Sequence, residues 1–426
     1  MSQPEKITVP VAVQKIQPPE EPQTIGQVIG LKGTVPLPVL HQSSVHDTET
    51  CPMYGALSAV YRIRRKTRKI GADESSYMHV AMKPLMNPAE PHLSVRAKAA
   101  RLVCKEAYRL VVQKVKQNQR RSENPEITDQ REEELTKAMN VGYAMALRLS
   151  SVMRIALDEG AFKIVAAEVP INVAFHFDGG PDGEFVIPYE GTLDLIIMDR
   201  KGVLFGVDYK GVSTTLNRWV KQLDYSLQAY CYTHALRAAV RGRAHPATLA
   251  RLQEFGLWRP NSKKHWEVRG FLFANIIKPS IRRKKLHTDN PQTLKDYVAE
   301  CNEWWSGTGR HKKLAEDRVR NKPILLHRQL IPREWPYQIV KRLSRAYDDL
   351  LAVRDMDVHE IPRHDGQCVF GHIECEMYEL CSSGYHLWKD VMSRFYTRNK
   401  DVLSSQGELL PSKTGKAKVT HGESAD

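Results

Sequence analysis

Between Gly191 and Lys210, two apolar runs, LIIM and VLFGV, flank a charged corner, Asp199-Arg200-Lys201-Gly202. Short apolar runs on either side of a glycine-containing corner read as a β-hairpin whose strands are buried. With Arg200-Lys201-Gly202 as a three-residue loop, and Gly202 in the left-handed conformation, Asp199 pairs with Val203 and Asp194 with Asp208. A two-residue loop would slip the register and turn those two carboxylates to opposite faces. The glycine favours the three-residue loop. Asp208 and Lys210 are two apart on one strand, so their side chains leave the same face. The expectation is two carboxylates and a lysine together on one face of a buried sheet.

The flanking sequence says what this hairpin belongs to. Residues 1–40 are rich in Pro, Gln and Glu without periodicity and read as a flexible arm, and residues 403–426 read as a disordered tail. Residues 41–160 carry apolar positions at helical spacing, as in RLVCKEAYRLVVQKVKQ. From Phe162 the period drops towards two, and FKIVAAEVPINVAF, EFVIPYEGTLDLIIMD and GVLFGVDYK read as successive strands. A helix is expected from Leu216 to Arg241, then a strand in HWEVRGFLFANII, a helix from Leu294 to Trp305, a strand in PILLHRQLI and a helix from Arg333 to Val353. Residues 161–355 thus form an α/β core, a central mixed sheet flanked by helices, preceded by an N-terminal helical insertion. Residues 356–402 hold three cysteines and close the chain.

Two carboxylates meeting on a sheet face repel each other unless a cation joins them. Hard oxygen ligands suit Mg²⁺ or Mn²⁺, and a lysine on the same face can orient or deprotonate an attacking water, or meet developing phosphorane charge. Asp and Lys as ordinary solvated hairpin charges is the bland alternative, and the apolar flanks argue against it because buried carboxylates are costly.

The motif order resembles the PD-(D/E)xK nuclease superfamily in its RecB-like branch. Gly191-Thr192-Leu193-Asp194, then Asp208-Tyr209-Lys210, then Gln228-Ala229-Tyr230-Cys231-Tyr232 stand where members carry G-x-x-D, (D/E)-x-K and Q-x-x-x-Y. The resemblance implies a restriction-endonuclease-like core in which Asp194, Asp208 and the Tyr209 carbonyl hold metal while Lys210 serves the water. Gln228 and Tyr232 would contact DNA or brace the site; a core-facing stripe at i, i+4 spacing is the alternative. Glu168 matches a glutamate that the branch often carries before G-x-x-D, as a ligand, an orienter or a solvated strand charge. His79 follows Cys51 at the branch's spacing for a metal-binding histidine, with Ser75 where glycine is usual; a structural histidine is the alternative.

Cys51 before the core, and Cys368, Cys375 and Cys381 after it, resemble the arrangement of AddB-type and CRISPR-associated iron–sulfur exonucleases. There, four thiolates hold a [4Fe–4S] cluster that ties the chain ends together. The Cys375–Cys381 spacing matches, whereas the gap from Cys368 to Cys375 is longer than usual. Structural Zn²⁺ on the same four cysteines is the competitor, with His364 and His372 as substitute ligands. Cys104, Cys231 and Cys301 read as plain buried thiols.

The formal net charge of +14 suits a polyanionic partner. Arg62–Lys69, Arg282–Lys285 and Arg310–Lys313 are dense basic runs that either touch phosphate or lie on solvated faces. Trp304 and Trp305 either stack on bases or pack. No apolar run is long enough to span a bilayer and no signal peptide is read, so a cytoplasmic location in a bacterial or phage-infected cell is expected. The resemblance implies an exonuclease acting on DNA in recombination, repair or phage replication, with a recombination or replication protein as a partner. The alternative from another class is a catalytically idle DNA-binding or assembly protein on the same fold.

Overall fold

The computed structural model describes residues 24–398 except 29–36, 66–72, 88–89, 91, 120–125, 179–183, 214–222, 224–225, 263–264, 280, 282–291, 309–323, 363–368, 371–372, 376, 378–379, 382 and 384–386. After α1 (Gln42–Thr50) come a short strand β1 (Ile63–Arg65) and the helices α2 (Asp73–Leu85), α3 (Leu93–Gln119) and α4 (Glu126–Asp158). The sheet strands follow: β2 (Phe162–Asp178), β3 (Glu184–Asp199) and β4 (Leu204–Val212). Helices α5 (Leu227–Ala239) and α6 (Pro246–Glu254) lead into β5 (Val268–Ile277), α7 (Leu294–Ser306), β6 (Ile324–Leu330) and α8 (Tyr337–Asp355). Two very short strands, β7 (Val369–Phe370) and β8 (Ile373–Glu374), then α9 (Trp388–Phe395) and β9 (Tyr396–Arg398), complete the described chain.

The central sheet is five-stranded, in the order β2-β3-β4-β5-β6. Only the β4–β5 pair is parallel, because α5 and α6 form the crossover that a parallel connection requires. One face packs on α5, α8 and the chain's two end regions, through Tyr189, Phe271, Leu236, Leu343 and Trp388. The other packs on α2, α4 and α7, through Met78, Met145, Leu149, Phe205 and Trp305. The architecture is therefore α/β, with a mixed sheet between two helical layers.

The β3–β4 hairpin has the expected register: Met198 faces Leu204, Leu195 faces Val207, and the Asp199 N–H donates to Val203 O at 2.9 Å. Gly202 closes the loop at φ 77°. The Asp199 carboxylate caps the corner by accepting from Lys201 N and Val203 N at 2.8 and 3.0 Å, the pattern that suits aspartate to turns.

Several boundaries differ from the sequence reading. Helix α5 starts at Leu227, where the Ser226 side chain accepts from Ala229 N; the expected stretch from Leu216 lies largely outside the described residues. Helix α8 starts at Tyr337 because Pro336 is extended at its N-cap. Parts of the stretch read as a flexible arm belong to the core. Ile25 and Leu40 are fully buried, and Leu40 exchanges backbone hydrogen bonds with Pro188 O and Glu190 N on β3, both at 2.9 Å. Their apolar side chains outweigh the polar composition around them. Residues 403–426 lie outside the described residues.

Trp304 and Trp305 are buried, and Trp305 Nε1 donates to Ile277 O at 2.9 Å, so both serve packing. Arg62 is likewise buried and paired with Glu190 at 2.5 Å rather than presented to a partner. Of the basic runs, residues 66–72, 282–291 and 309–323 lie outside the described residues. Among the described residues no helix is long and apolar enough to cross a membrane. We predict that Gly202→Ala destabilises the fold by about 1 kcal/mol, through φ strain alone, since no atom lies within 4 Å of the added Cβ. Urea denaturation measures it; an unchanged midpoint would mean that the loop has another conformation.

Candidate active site

Three carboxylates form a row across three strands. Ala167 faces Leu195 and Val169 faces Leu193, which sets Glu168 opposite Asp194; the β3–β4 register sets Asp194 opposite Asp208. The strands are not regular here. Leu193 packs into one helical layer, Leu195 and Ile197 into the other, and Ile196 and Met198 into the first again, so the alternation slips by one at Asp194. On β2 the same slip falls between Ala166 and Val169, around Glu168, which sits at φ 52°. A non-glycine residue at positive φ inside a strand is uncommon and is held there by its surroundings.

That slip opens a fork. The β3–β4 pairing ends at Leu195–Val207, and the Asp194 carboxylate takes over by accepting from Tyr209 N at 2.8 Å. From α2, His79 Nδ1 lies 3.3 Å from the same Asp194 oxygen. Asp208 is met from the opposite layer: Gln228, on the first turn of α5, donates from Nε2 to Asp208 Oδ1 at 2.7 Å. Lys210, two residues along β4, brings its ammonium to 2.9 Å from Asp208 Oδ2. The expected flat pair on one face is thus replaced by a pair at a strand fork, approached from both layers.

The electrostatics follow from that crowding. Burial raises the Asp208 pKa, and the Asp194 charge adds to this while Lys210 and His79 oppose it. Burial likewise raises Glu168, with Asp194 adding, and Lys83 and His79 opposing. Burial alone would lower His79, but its hydrogen bond to Asp194 and the fields of Asp194 and Asp208 outweigh that and raise it. Tyr209, between Asp208 and Lys210, turns its ring to the other layer and stacks edge-on to His79 at 5.8 Å.

Gln228 and Tyr232 both brace. Gln228 is buried on Asp208. The Tyr232 ring lies stacked on Phe271, and a Cβ at Gly191 would meet its Cε1 at 2.4 Å. Gly191 therefore leaves room for Tyr232, which is how the first and last of the three motifs come to depend on each other. Lys83 was not singled out from the sequence; it lies one helical turn after His79 on α2, and that spacing was the available signal.

The donor set fits a hard divalent cation in chemistry, with carboxylates, a strand carbonyl and an imidazole at one fork. Asp208 Oδ2 is buried with an ammonium nearby but no aligned hydrogen bond, so it retains acceptor capacity. Lys210 supplies cationic charge at Asp208, and the His79 imidazole lies against Asp194. Among the described residues no group of three His, Cys, Asp or Glu side chains is gathered to hold a metal ion.

No family model matches the chain. No curated protein matches it either.

Cys51, Cys375 and Cys381 are partly buried, and all three pack against one core layer. Cys375 Sγ accepts from Met377 N at 3.4 Å. Cys368, His364 and His372 lie outside the described residues. The two end regions also meet through other contacts. β1 pairs antiparallel with β9, Arg342 makes two 2.8 Å hydrogen bonds to Glu49, and Trp388 is fully buried. Cys104, Cys231 and Cys301 are buried thiols; burial pushes the first and last up to about 11, and Cys231 up as well. Such thiols are poor nucleophiles.

Gln228→Ala should leave a buried Asp208 oxygen without its donor and cost roughly 1–3 kcal/mol in urea denaturation. Gln228→Glu should cost more, because it sets a third carboxyl group beside the pair. Equal stability of both variants with the wild type would show that Gln228 does not hold Asp208.

Proposed function

We propose that the chain is a metal-dependent deoxyribonuclease of the PD-(D/E)xK type that hydrolyses phosphodiester bonds, working as an exonuclease. The observation that carries this reading is the fork itself: Asp194 and Asp208 opposite each other on neighbouring strands, with Lys210 at 2.9 Å from Asp208. A buried aspartate beside a second, partly buried one and a lysine is expensive as architecture and useful as a site. The net charge of +14 suits a DNA substrate.

Asp194, Asp208 and the Tyr209 carbonyl would hold Mg²⁺ or Mn²⁺, with His79 and Glu168 as neighbours on the Asp194 side. When bound, the ion supplies Lewis acidity to the phosphate and makes water more acidic. Lys210 orients the attacking water or meets the charge that builds on phosphorus-bound oxygen. Gln228 keeps one Asp208 oxygen occupied, which leaves the other to face the reacting groups. The Tyr209 N–H and His79 hold Asp194 in the fork. Cys51, Cys368, Cys375 and Cys381 would hold a [4Fe–4S] cluster, or Zn²⁺, that reinforces the junction already made by β1 and β9. The Met377 N–H on Cys375 Sγ supports ligation, since sulfur ligands of clusters commonly accept such bonds.

The idle DNA-binding reading draws on a different observation: Asp208 already carries two partners, Gln228 and Lys210. Cleavage of end-labelled linear single- and double-stranded DNA decides between them, using protein whose iron and zinc contents are measured. The nuclease reading predicts degradation that requires Mg²⁺ or Mn²⁺, stops with EDTA, and falls about 100-fold or more in Asp194→Ala and Lys210→Ala while DNA binding persists. Intact DNA with folded wild-type protein would give the idle reading.

A further inference from the structure

The opposite end of α5 from Gln228 opens into a cavity of about 540 Å³. Arg237 lines it, nine residues beyond Gln228 on the same helix and so about 14 Å along its axis. The carboxylate row crosses the middle of β4, where Asp208 pairs with Phe273, whereas this cavity abuts Val268, the first residue of β5. The two are distinct places on one sheet.

The cavity is positively charged. Arg237, Arg241, Arg243 and Arg333 line it. The Arg237 guanidinium donates to three carbonyls, Val268 O at 3.0 Å, Ile331 O at 2.6 Å and Pro332 O at 2.5 Å. Those acceptors are neutral, and among the described residues no carboxylate pairs with Arg237. Burial first, then Arg333 and Arg241, pull its pKa down to about 10. Glu267 is the one carboxylate among the described lining residues, and it is paired with Arg269 at 2.8 Å.

The cavity is also aromatic. Trp335 stacks on His234 with ring centroids 3.9 Å apart, and packs edge-on to Phe175 and Phe177. Burial and Arg237 hold the His234 pKa down to about 3, so it contributes a flat neutral ring. At the rim, Trp266 is 38% exposed. A smaller cavity of about 240 Å³ adjoins this one, sharing His265 and Trp266. Local structure places the rim arginines. Arg243 N donates to Ala238 O and Gly242 N to Ala239 O, both at 2.9 Å, which ends α5 in a tight turn. Gly242 sits there at φ 80°, close under Trp258, with Arg241 and Arg243 on either side.

Arginines near a helix C-terminus gain from the helix dipole, which accounts for Arg237 and Arg241. It does not account for Arg333, from the segment after β6, or for an exposed tryptophan beside them. We propose that this cavity is a second binding site, for a nucleotide, with the phosphate on Arg241, Arg243 and Arg333 and the base against Trp266. Guanidinium groups match phosphate geometry and indole faces stack on any base. The chemistry is shared by a free mononucleotide and by one nucleotide of a strand. The site does not rest on the nuclease reading, since none of its residues belongs to the carboxylate row.

The test is titration of the full chain with dAMP, and separately with a single strand of about a dozen nucleotides, in EDTA, followed by tryptophan fluorescence. The proteins compared are wild type, the double variant Arg241→Glu/Arg333→Glu, and Arg109→Glu as a charge control on exposed α3. Saturable quenching by wild type, weakened about tenfold or more in the double variant and retained in the control, is expected. Binding of dAMP assigns the site to free nucleotide; binding of the oligonucleotide alone assigns it to a strand. Absence of binding by both ligands, or equal binding by the double variant and wild type, would overturn the proposal. Loss of DNA cleavage with this binding intact would count against the nuclease reading only.

Discussion

Asp208 is buried beside another carboxylate, and most of what surrounds it can be understood as the means of keeping it there. An uncompensated buried carboxylate costs several kcal/mol, so the fold must bring it partners. Lys210 comes from its own strand, Gln228 from the crossover helix, and His79 meets Asp194 from the helical region ahead of the sheet. Each partner arrives on a different element. The site is therefore complete only when the sheet and both helical layers are packed.

The same requirement connects packing to chemistry. Gly191 has no side chain because Tyr232 occupies that space, and Tyr232 sits one helical turn after Gln228. The ring that seats α5 on the sheet thereby aims Gln228 at Asp208. At the other end of that helix, Arg237 ties the chain leaving β6 back to the start of β5. One helix thus contributes side chains to both the carboxylate fork and the arginine-lined cavity.

The hairpin register was legible because a three-residue loop with glycine at its last position admits one pairing, and Gly202 adopts the left-handed conformation that this pairing needs. Gln228 and Tyr232 were legible as one helix face. The slip at Glu168 and Asp194 was not, since an alternating pattern in VAAEVPINV or GTLDLIIM carries no mark of where the phase changes. Composition misplaced Ile25 and Leu40, because two apolar side chains in a Pro- and Gln-rich stretch suffice to bury it locally. Arg62 opened a basic run and lies inside, paired with Glu190; a single charge takes its meaning from a partner more than a hundred residues away. The arginine-lined cavity was hidden for a similar reason, as its walls come from β2, α5, the start of β5 and the segment after β6.

On the proposed reading, the fork holds a divalent ion between Asp194 and Asp208. Calorimetric titration of metal-free protein with Mn²⁺ tests it without reference to any substrate. The account predicts saturable binding by wild type that weakens about 100-fold in both Asp194→Asn and Asp208→Asn, at least the loss seen when the supporting partners of metal ligands are removed. Wild-type protein that takes up no Mn²⁺, or variants that bind it as tightly as wild type, would contradict the account.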